Sequence, residues 1–206
     1  AAGDNSGGSV SLSADGSTVA IGAFENGDSS GHVRVYQNVG GSWSQIGNDI
    51  DGEDSGDWSG WSVTLSANGN TVAIGAPGHF GGKGNWKASF TGYVSVYQNM
   101  GGSWSQIGSD INGEAAINNS GVSVSLSSDG NTVAIGDPGN SGNGLYAGHV
   151  RVYRNVAGSW SQIGSDIDGT TNMDYIGWSV SLSADGATLA IGSPFNDGFT
   201  GHVRVY

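Results

Sequence analysis

The sequence predicts an all-β protein built from four copies of one repeat, and three observations support this prediction. Residues 7–36, 60–97, 121–153 and 177–206 align with one another. Within each segment apolar residues alternate with small polar ones, a period of two that is typical of a strand and not of a helix. Gly contributes 39 of 206 residues, but it recurs at fixed places beside seven Trp and seven Tyr, so the composition indicates a packed fold.

The first two strands of each repeat, A and B, are predicted to form a tight hairpin. In the second repeat, strand A covers residues 62–66 and strand B covers residues 71–75, with Asn68-Gly69 between them. Asp-Gly stands at the same place in the other repeats, at Asp15, Asp129 and Asp185. These dipeptides supply the positive φ angles that a short hairpin turn needs.

Strands C and D follow, at residues 32–36 and 43–46 in the first repeat. The distance from Val33, Val94 or Val150 to the next Trp is 10 residues in every case. All variation in length therefore falls in the connector between strands B and C. The fourth repeat ends after strand C, so the last unit lacks its fourth strand in this chain.

Units of this kind predict a β-propeller, because four-stranded units repeated head to tail are typical of propeller blades. The predicted blades, within a single domain, cover residues 7–51, 60–112, 121–168 and 177–206. A stacked β-solenoid is the alternative, although its rungs are usually shorter. We expect the chain to be a fragment of a larger propeller. Association of two copies, closure as four blades and fibre formation through the unpaired blade edge are the alternatives.

Three short sequence motifs of the second repeat resemble the FG-GAP repeat of integrin α-subunit propellers. They are Gly60-Trp61-Ser62-Val63, Ala73-Ile74-Gly75-Ala76-Pro77 and Gly92-Tyr93-Val94-Ser95-Val96-Tyr97. The resemblance extends over essentially the whole chain and implies a propeller that acts in adhesion, outside the cell or at its surface. Integrin-type repeats often carry a long acidic calcium loop between strands A and B. Here that loop is a short hairpin that cannot supply six to eight oxygen ligands, so the family's calcium sites are missing.

The charge of the chain disfavours two classes of partner. The net charge is −12, with six Lys and Arg in total. Nucleic acids and anionic membrane surfaces both require clustered cations, so we expect neither as a partner. No apolar stretch approaches the roughly 20 residues that span a bilayer, so no membrane insertion is expected. The absence of Cys excludes disulfides, thiolate zinc sites and a cysteine nucleophile.

No short motif of the sequence indicates catalysis. His32, His149 and His202 recur at one strand position, which favours a structural role. His79 has no neighbouring Ser or carboxylate that would complete a recognisable triad. We therefore expect that the chain is not an enzyme and holds no cofactor, with calcium as the one exception to consider.

The connector after the first strand D is acidic and contains the candidate metal ligands Asp49, Asp51, Glu53 and Asp57. Carboxylates spaced around a Gly turn are suitable calcium ligands. The alternative, which we favour, is a strand end and turn in which Asp side chains bond to their own backbone.

The long B–C connector of the second repeat contains the candidate ligand-binding residues. They are His79, Phe80, Lys83, Trp86, Lys87 and Phe90. Aromatic rings beside donors suit sugar stacking or a protein anchor, whereas a loop that covers a neighbouring blade is the alternative. B–C and D–A connectors emerge on the same rim of a propeller. We therefore predict a binding or adhesion module that recognises a protein or glycan through this rim. The alternative is a structural repeat protein that self-assembles into larger rings or fibres through its open blade edge.

Overall fold

The computed structural model describes residues 2–78, 91–115 and 117–206. It contains four antiparallel sheets, one for each repeat, which we number as blades 1 to 4. Blade 1 comprises β1 (Ser9–Leu12), β2 (Thr18–Ala23), β3 (His32–Val39), β4 (Ser42–Gln45) and β5 (Ile50–Asp51). Blade 2 comprises β6 (Ser62–Leu65), β7 (Thr71–Ala76), β8 (Tyr93–Asn99), β9 (Trp104–Gln106) and β10 (Ile111–Asn112).

Blades 3 and 4 repeat the same order. Blade 3 comprises β11 (Ser123–Leu126), β12 (Thr132–Asp137), β13 (His149–Val156), β14 (Ser159–Gln162) and β15 (Ile167–Asp168). Blade 4 comprises β16 (Ser179–Leu182), β17 (Leu189–Ser193) and β18 (His202–Val205). Two single turns of helix, α1 (Asn26–Ser29) and α2 (Asn196–Phe199), lie in the B–C connectors of blades 1 and 4. The predicted all-β propeller, with three strands in its last blade, is confirmed. Neither described helix has the length and apolarity that crossing a membrane requires.

The outer strand of a blade is interrupted, which the sequence did not predict. Strand β3 pairs with both β4 and β5. Tyr36 of β3 lies opposite Gln45 of β4, and Val33 of β3 lies opposite Ile50 of β5. The outer strand thus carries extra residues between these two pairs and bulges away from the ladder. Gly47, with a φ of 69°, lies in this bulge. Blades 2 and 3 repeat the register.

The hydrophobic core lies in layers between neighbouring blades. At the junction of blades 1 and 2, Val33 and Val35 of blade 1 pack in one cluster with Val63 and Leu65 of blade 2. The junctions between blades 2 and 3 and between blades 3 and 4 contain equivalent clusters. Each blade therefore contributes one apolar face to each of its neighbours.

In blades 2 and 3, a Trp of the outer strand donates a hydrogen bond to the bulge of the preceding blade. Trp104 Nε1 donates to the carbonyl oxygen of Ile46 at 2.9 Å, and Trp160 Nε1 donates to that of Ile107 at 2.9 Å. Both tryptophans also pack against the apolar layer between the blades. Trp43 holds the same position in blade 1, where its side chain is 48% exposed.

The B–C connector of one blade pairs with the D–A connector that follows it. Trp58 N donates to Ser29 O at 3.0 Å, and Met173 N donates to Leu145 O at 2.7 Å. The two kinds of connector therefore form one rim, as the sequence predicted.

Candidate functional site

A cleft of about 920 Å³ opens on this rim at blade 4, and we call it the rim cleft. It forms where the connector before β16 faces the B–C connector that contains α2. The lining residues are Thr171, Asn172, Met173, Tyr175, Trp178, Phe195, Asn196, Gly198 and Phe199.

Aromatic rings form most of the apolar lining of the rim cleft. Phe195 lies edge-on to Trp178, with ring centroids 5.1 Å apart, and edge-on to Tyr175 at 5.2 Å. Tyr175 in turn stacks on Tyr146 at 5.5 Å with an interplanar angle of 7°. These contacts hold the rings in place, yet Trp178 remains 47% exposed and Phe199 79% exposed. The cleft therefore presents fixed aromatic surface to solvent.

Two amide side chains supply polar groups to the rim cleft. Asn172 Oδ1 accepts a hydrogen bond from Leu145 N at 3.0 Å, which leaves the Nδ2 donors of Asn172 for a ligand. Asn196 Nδ2 donates to Asp174 Oδ1, which leaves Oδ1 of Asn196 as an acceptor. The cleft thus combines aromatic faces with both a donor and an acceptor.

The carboxylate of Asp174 anchors the connector that forms one wall of the rim cleft. It accepts from the backbone N–H groups of Thr170 at 2.9 Å and Thr171 at 3.0 Å, and from Thr171 Oγ1 at 2.6 Å. Burial opposes the charged form, but the hydrogen bonds from Thr171 and Asn196 outweigh it and hold the pKa of Asp174 well below its usual range. The negatively charged carboxylate of Asp174 therefore stabilises the turn through these hydrogen bonds.

A turn of the same kind precedes the second repeat, and it matches the alternative favoured from the sequence, in which an Asp side chain bonds to the nearby backbone. Asp57 Oδ2 accepts from the backbone N–H groups of Glu53 at 3.1 Å and Asp54 at 2.9 Å, and from the Tyr93 hydroxyl at 3.0 Å. Burial, reinforced by the charge of Asp57, raises the pKa of Tyr93 well above its usual range. The available signal is an Asp or Asn three positions before the first Gly of every repeat: Asp4, Asp57, Asn118 and Asp174.

The four candidate calcium ligands fall into two groups. Asp49 and Asp51 line a small polar cleft of about 240 Å³, and they form a cluster with His32 in which the potential ligand atoms lie within 4.8 Å of one another. Glu53 and Asp57 belong instead to the turn described above. The structure therefore does not place all four in one cluster, and calcium binding stays a prediction.

Asp49 already has a cationic partner. Arg34 donates to it from Nε at 2.9 Å and from Nη2 at 2.7 Å. These charge-assisted bonds lower the pKa of Asp49 to about 2.

Blade 3 contains a buried charge cluster that the other blades lack in the described part of the chain. His149 Nε2 lies 2.7 Å from Asp137 Oδ2, to which Arg151 Nη2 also donates at 2.7 Å. Burial alone would lower the pKa of Arg151, but the charge of Asp137 raises it. His149 also lies in a possible metal-binding group with Glu114 and Asp166. The signal in the sequence is Asp137 itself, which stands where the aligned repeats have Ala or Ser.

The six candidate ligand-binding residues of the long B–C connector lie outside the described residues. They are His79, Phe80, Lys83, Trp86, Lys87 and Phe90. Their role stays a prediction. The aromatic surface that the structure does describe on this rim belongs to blade 4.

Comparison with known proteins shows the fold. No protein-family model matches the sequence, and no curated protein matches it at a significant level. Three solved structures are similar: a proposed 6-phosphogluconolactonase from Bacteroides uniformis, the hydrazine synthase of Kuenenia stuttgartiensis, and Sqt1 of Saccharomyces cerevisiae. Their TM-scores are 0.57, 0.59 and 0.58, at 13%, 14% and 14% identity.

The chain spans about half the length of each of these proteins. The matches cover 95%, 96% and 100% of this chain but 52%, 57% and 49% of the respective similar chains. Propeller-like sheets in the first and third support the propeller fold. They do not distinguish an FG-GAP propeller from other propellers.

The similarity to the proposed 6-phosphogluconolactonase contradicts the prediction that the chain is not an enzyme. That prediction relied on the lack of short catalytic motifs and on the repetition of His32, His149 and His202. A propeller presents side chains on loops from separate blades, and short motifs do not capture such an arrangement. At 13% identity the similarity shows the shared fold alone, so no reaction is transferred to this chain.

Proposed function

We propose that this chain is the glycan-binding module of an FG-GAP-like adhesion protein, outside the cell or at its surface. The rim cleft is the proposed binding site. The observation that carries the proposal is the exposed aromatic surface of Trp178 and Phe199 in a concave site. Large apolar side chains left in contact with water on a concave surface are typical of ligand sites.

A glycan fits the chemistry of this site better than a protein partner does. A sugar ring has an apolar face that can stack on an aromatic ring and an edge of hydroxyl groups. The open donors of Asn172 and the open acceptor of Asn196 match such hydroxyl groups. A stable protein interface needs about 800 Å² on each partner, usually over a broad surface, whereas this site is a confined cleft. The net charge of −12 favours a neutral glycan over an anionic one.

Titration calorimetry with neutral hexasaccharides tests this proposal. We expect the chain to bind at least one of cellohexaose, maltohexaose and chitohexaose. Phe199→Ala should weaken that binding about tenfold, because it removes an exposed stacking surface. Phe199 is 79% exposed, so its replacement should leave the fold intact.

Trp43→Ala is the matched control, since Trp43 is an exposed aromatic residue on blade 1, outside the cleft. It should bind the glycan as the unmodified chain does. Equal losses in both variants, or no binding to any of the three sugars, would show that the rim cleft is not a site for neutral glycans.

A further inference from the structure

The buried charge cluster of blade 3 contains a histidine whose two ring nitrogens have different surroundings. His149, at the start of β13, is 1% exposed, and its Nε2 lies 2.7 Å from Asp137 Oδ2. Arg151 donates to the same oxygen at 2.7 Å, so the carboxylate acts as an acceptor and Nε2 of His149 carries the hydrogen. In the neutral imidazole, Nδ1 then has a free lone pair that can coordinate a metal ion.

The Nδ1 atom of His149 faces two carboxylates. Asp166 Oδ2 lies 3.8 Å from it, which is beyond hydrogen-bond range. Glu114 supplies a further carboxylate oxygen, and the three potential ligand atoms all lie within 4.8 Å of one another. A lone pair and two carboxylates repel one another at this range, and a cation between them would turn the repulsion into attraction.

Blade 1 shows how the aligned aspartate is neutralised when Asp137 is absent. There Arg34 donates to Asp49 from Nε at 2.9 Å and from Nη2 at 2.7 Å. Arg151 and Asp166 stand at the aligned positions of blade 3, but Arg151 donates to Asp137 instead, and no ion pair joins it to Asp166 within the described residues. Blade 1 has Ala at the position of Asp137. Asp137 therefore diverts the guanidinium and leaves the carboxylate of Asp166 facing the histidine.

The formal charge of the cluster matches a divalent cation. Three carboxylates, those of Asp137, Glu114 and Asp166, stand against the single guanidinium of Arg151, so with a neutral His149 the cluster has a formal charge of −2. The guanidinium does not bond to the second carboxylate, because its Nη1 lies 3.9 Å from Glu114 Oε1. A divalent ion beside the imidazole would balance this charge.

We propose that blade 3 binds a divalent transition-metal ion, best matched by zinc, between His149 Nδ1, Asp166 Oδ2 and a carboxylate oxygen of Glu114. Imidazole and carboxylate groups are ligands typical of zinc, whereas calcium takes six to eight oxygen ligands. Asp137 is then a positioning residue. It holds the imidazole through Nε2, as carboxylates do behind metal-bound histidines.

The geometry of the three ligands requires little movement. Ligand atoms about 2.0–2.1 Å from a tetrahedral zinc ion lie about 3.3 Å apart, so the 3.8 Å between His149 Nδ1 and Asp166 Oδ2 needs a small closure. The side chain of Glu114 is 49% exposed and can adjust, while the buried imidazole stays fixed. Glu114 follows β10 of blade 2, so the ion would join the connector of blade 2 to blade 3. The proposal is independent of glycan binding.

Titration calorimetry of the chelator-treated 206-residue chain with Zn²⁺ alone tests the site. We expect one zinc ion to bind tightly to each chain, and the midpoint of thermal unfolding to rise with zinc concentration, because the ion binds the folded form. X-ray absorption at the zinc edge should show one imidazole among oxygen ligands. A chain that binds no zinc, or zinc bound by oxygen ligands alone, would overturn the proposal.

Two conservative variants test the carboxylate ligands. Asp166→Asn and Glu114→Gln each remove a ligand charge from a partly exposed side chain, so both should fold, and each should weaken zinc binding at least about tenfold. Asp49→Asn is the matched control, because Asp49 holds the aligned position of blade 1 with the same side-chain exposure of 29% as Asp166. It should bind zinc as the unmodified chain does. Equal weakening in all three variants, or in none, would show that zinc binds only to the acidic surface in general.

Asp137→Ala tests the positioning role and gives blade 3 the residue that blade 1 has. Arg151 should then turn to Asp166, as Arg34 does to Asp49, and zinc affinity should fall about 10- to 100-fold. Thermal unfolding without zinc shows whether the variant is folded. Adding Arg151→Ser, which introduces the residue of blade 2 at this position, removes the competing cation and should restore part of the affinity. A folded Asp137→Ala variant that binds zinc as tightly as the unmodified chain, or a double variant that recovers nothing, would overturn this role of Asp137.

Discussion

The junctions between neighbouring blades and the outer faces of blades 1 and 4 are built from equivalent residues in different surroundings. Leu65 is 7% exposed where blade 1 covers it, and Leu12 is 59% exposed at the aligned position of blade 1. Val33 is completely buried, and its counterpart Val203 is 69% exposed. The repeat thus specifies an apolar face on each side of a blade, but a neighbouring blade is needed to bury it. Stability in this fold arises between units more than within them.

The close contact between the Gly of the Ala-Ile-Gly motif and the first Gly of the next repeat should show the largest difference between a junction and an outer face. A methyl group at Gly75 would lie 2.1 Å from a backbone carbonyl oxygen that cannot move without separating blades 2 and 3. We expect Gly75→Ala to lower the free energy of unfolding by about 3 kcal/mol or more. Urea denaturation measures the change.

Gly192→Ala is the matched substitution in blade 4. Its close contact is with the hydroxyl of Ser179, which can rotate away, so we expect a loss of about 1 kcal/mol or less. Similar losses for the two variants would show that the internal glycine contact is not tighter than the open one.

Removal of apolar side chains should give the next largest difference. Leu65→Ala leaves a cavity in the layer between blades 1 and 2, and we expect it to cost about 2–5 kcal/mol. Leu12→Ala should change the free energy of unfolding by about 0.5 kcal/mol or less, because that side chain is already in water. Urea denaturation of the two variants checks both values. A large loss for Leu12→Ala would mean that this side chain is buried in the folded chain.

The repeat made strands A to C predictable, but not the features that depend on contacts between strands or between connectors. Strands A to C follow from the period of two and the Asn-Gly or Asp-Gly turns, which report local backbone preferences. The bulge at Gly47 is not predictable in this way, because it depends on register against β3, a property of the pair of strands and not of either sequence. The rim cleft could not be predicted from the sequence for a related reason. Trp178 lies on a rim where aromatic rings from two connectors meet, and that contact depends on how the two connectors fold against each other.

Among the losses expected at the junctions between blades, the smallest should come from the Asp that anchors a D–A turn. Asp57 is fully buried and accepts three described hydrogen bonds, so Asp57→Ala removes the acceptor of the buried Tyr93 hydroxyl and of two backbone N–H groups and should cost about 1–3 kcal/mol. Asp57→Asn should cost less, because Asn118 occupies the aligned position of the next junction. Asp4→Ala, at the aligned position of blade 1, should have a smaller effect than Asp57→Ala. Thermal unfolding of the three variants ranks them, and an Asp4→Ala variant as unstable as Asp57→Ala would show that this carboxylate stabilises its blade without a contact to a preceding blade.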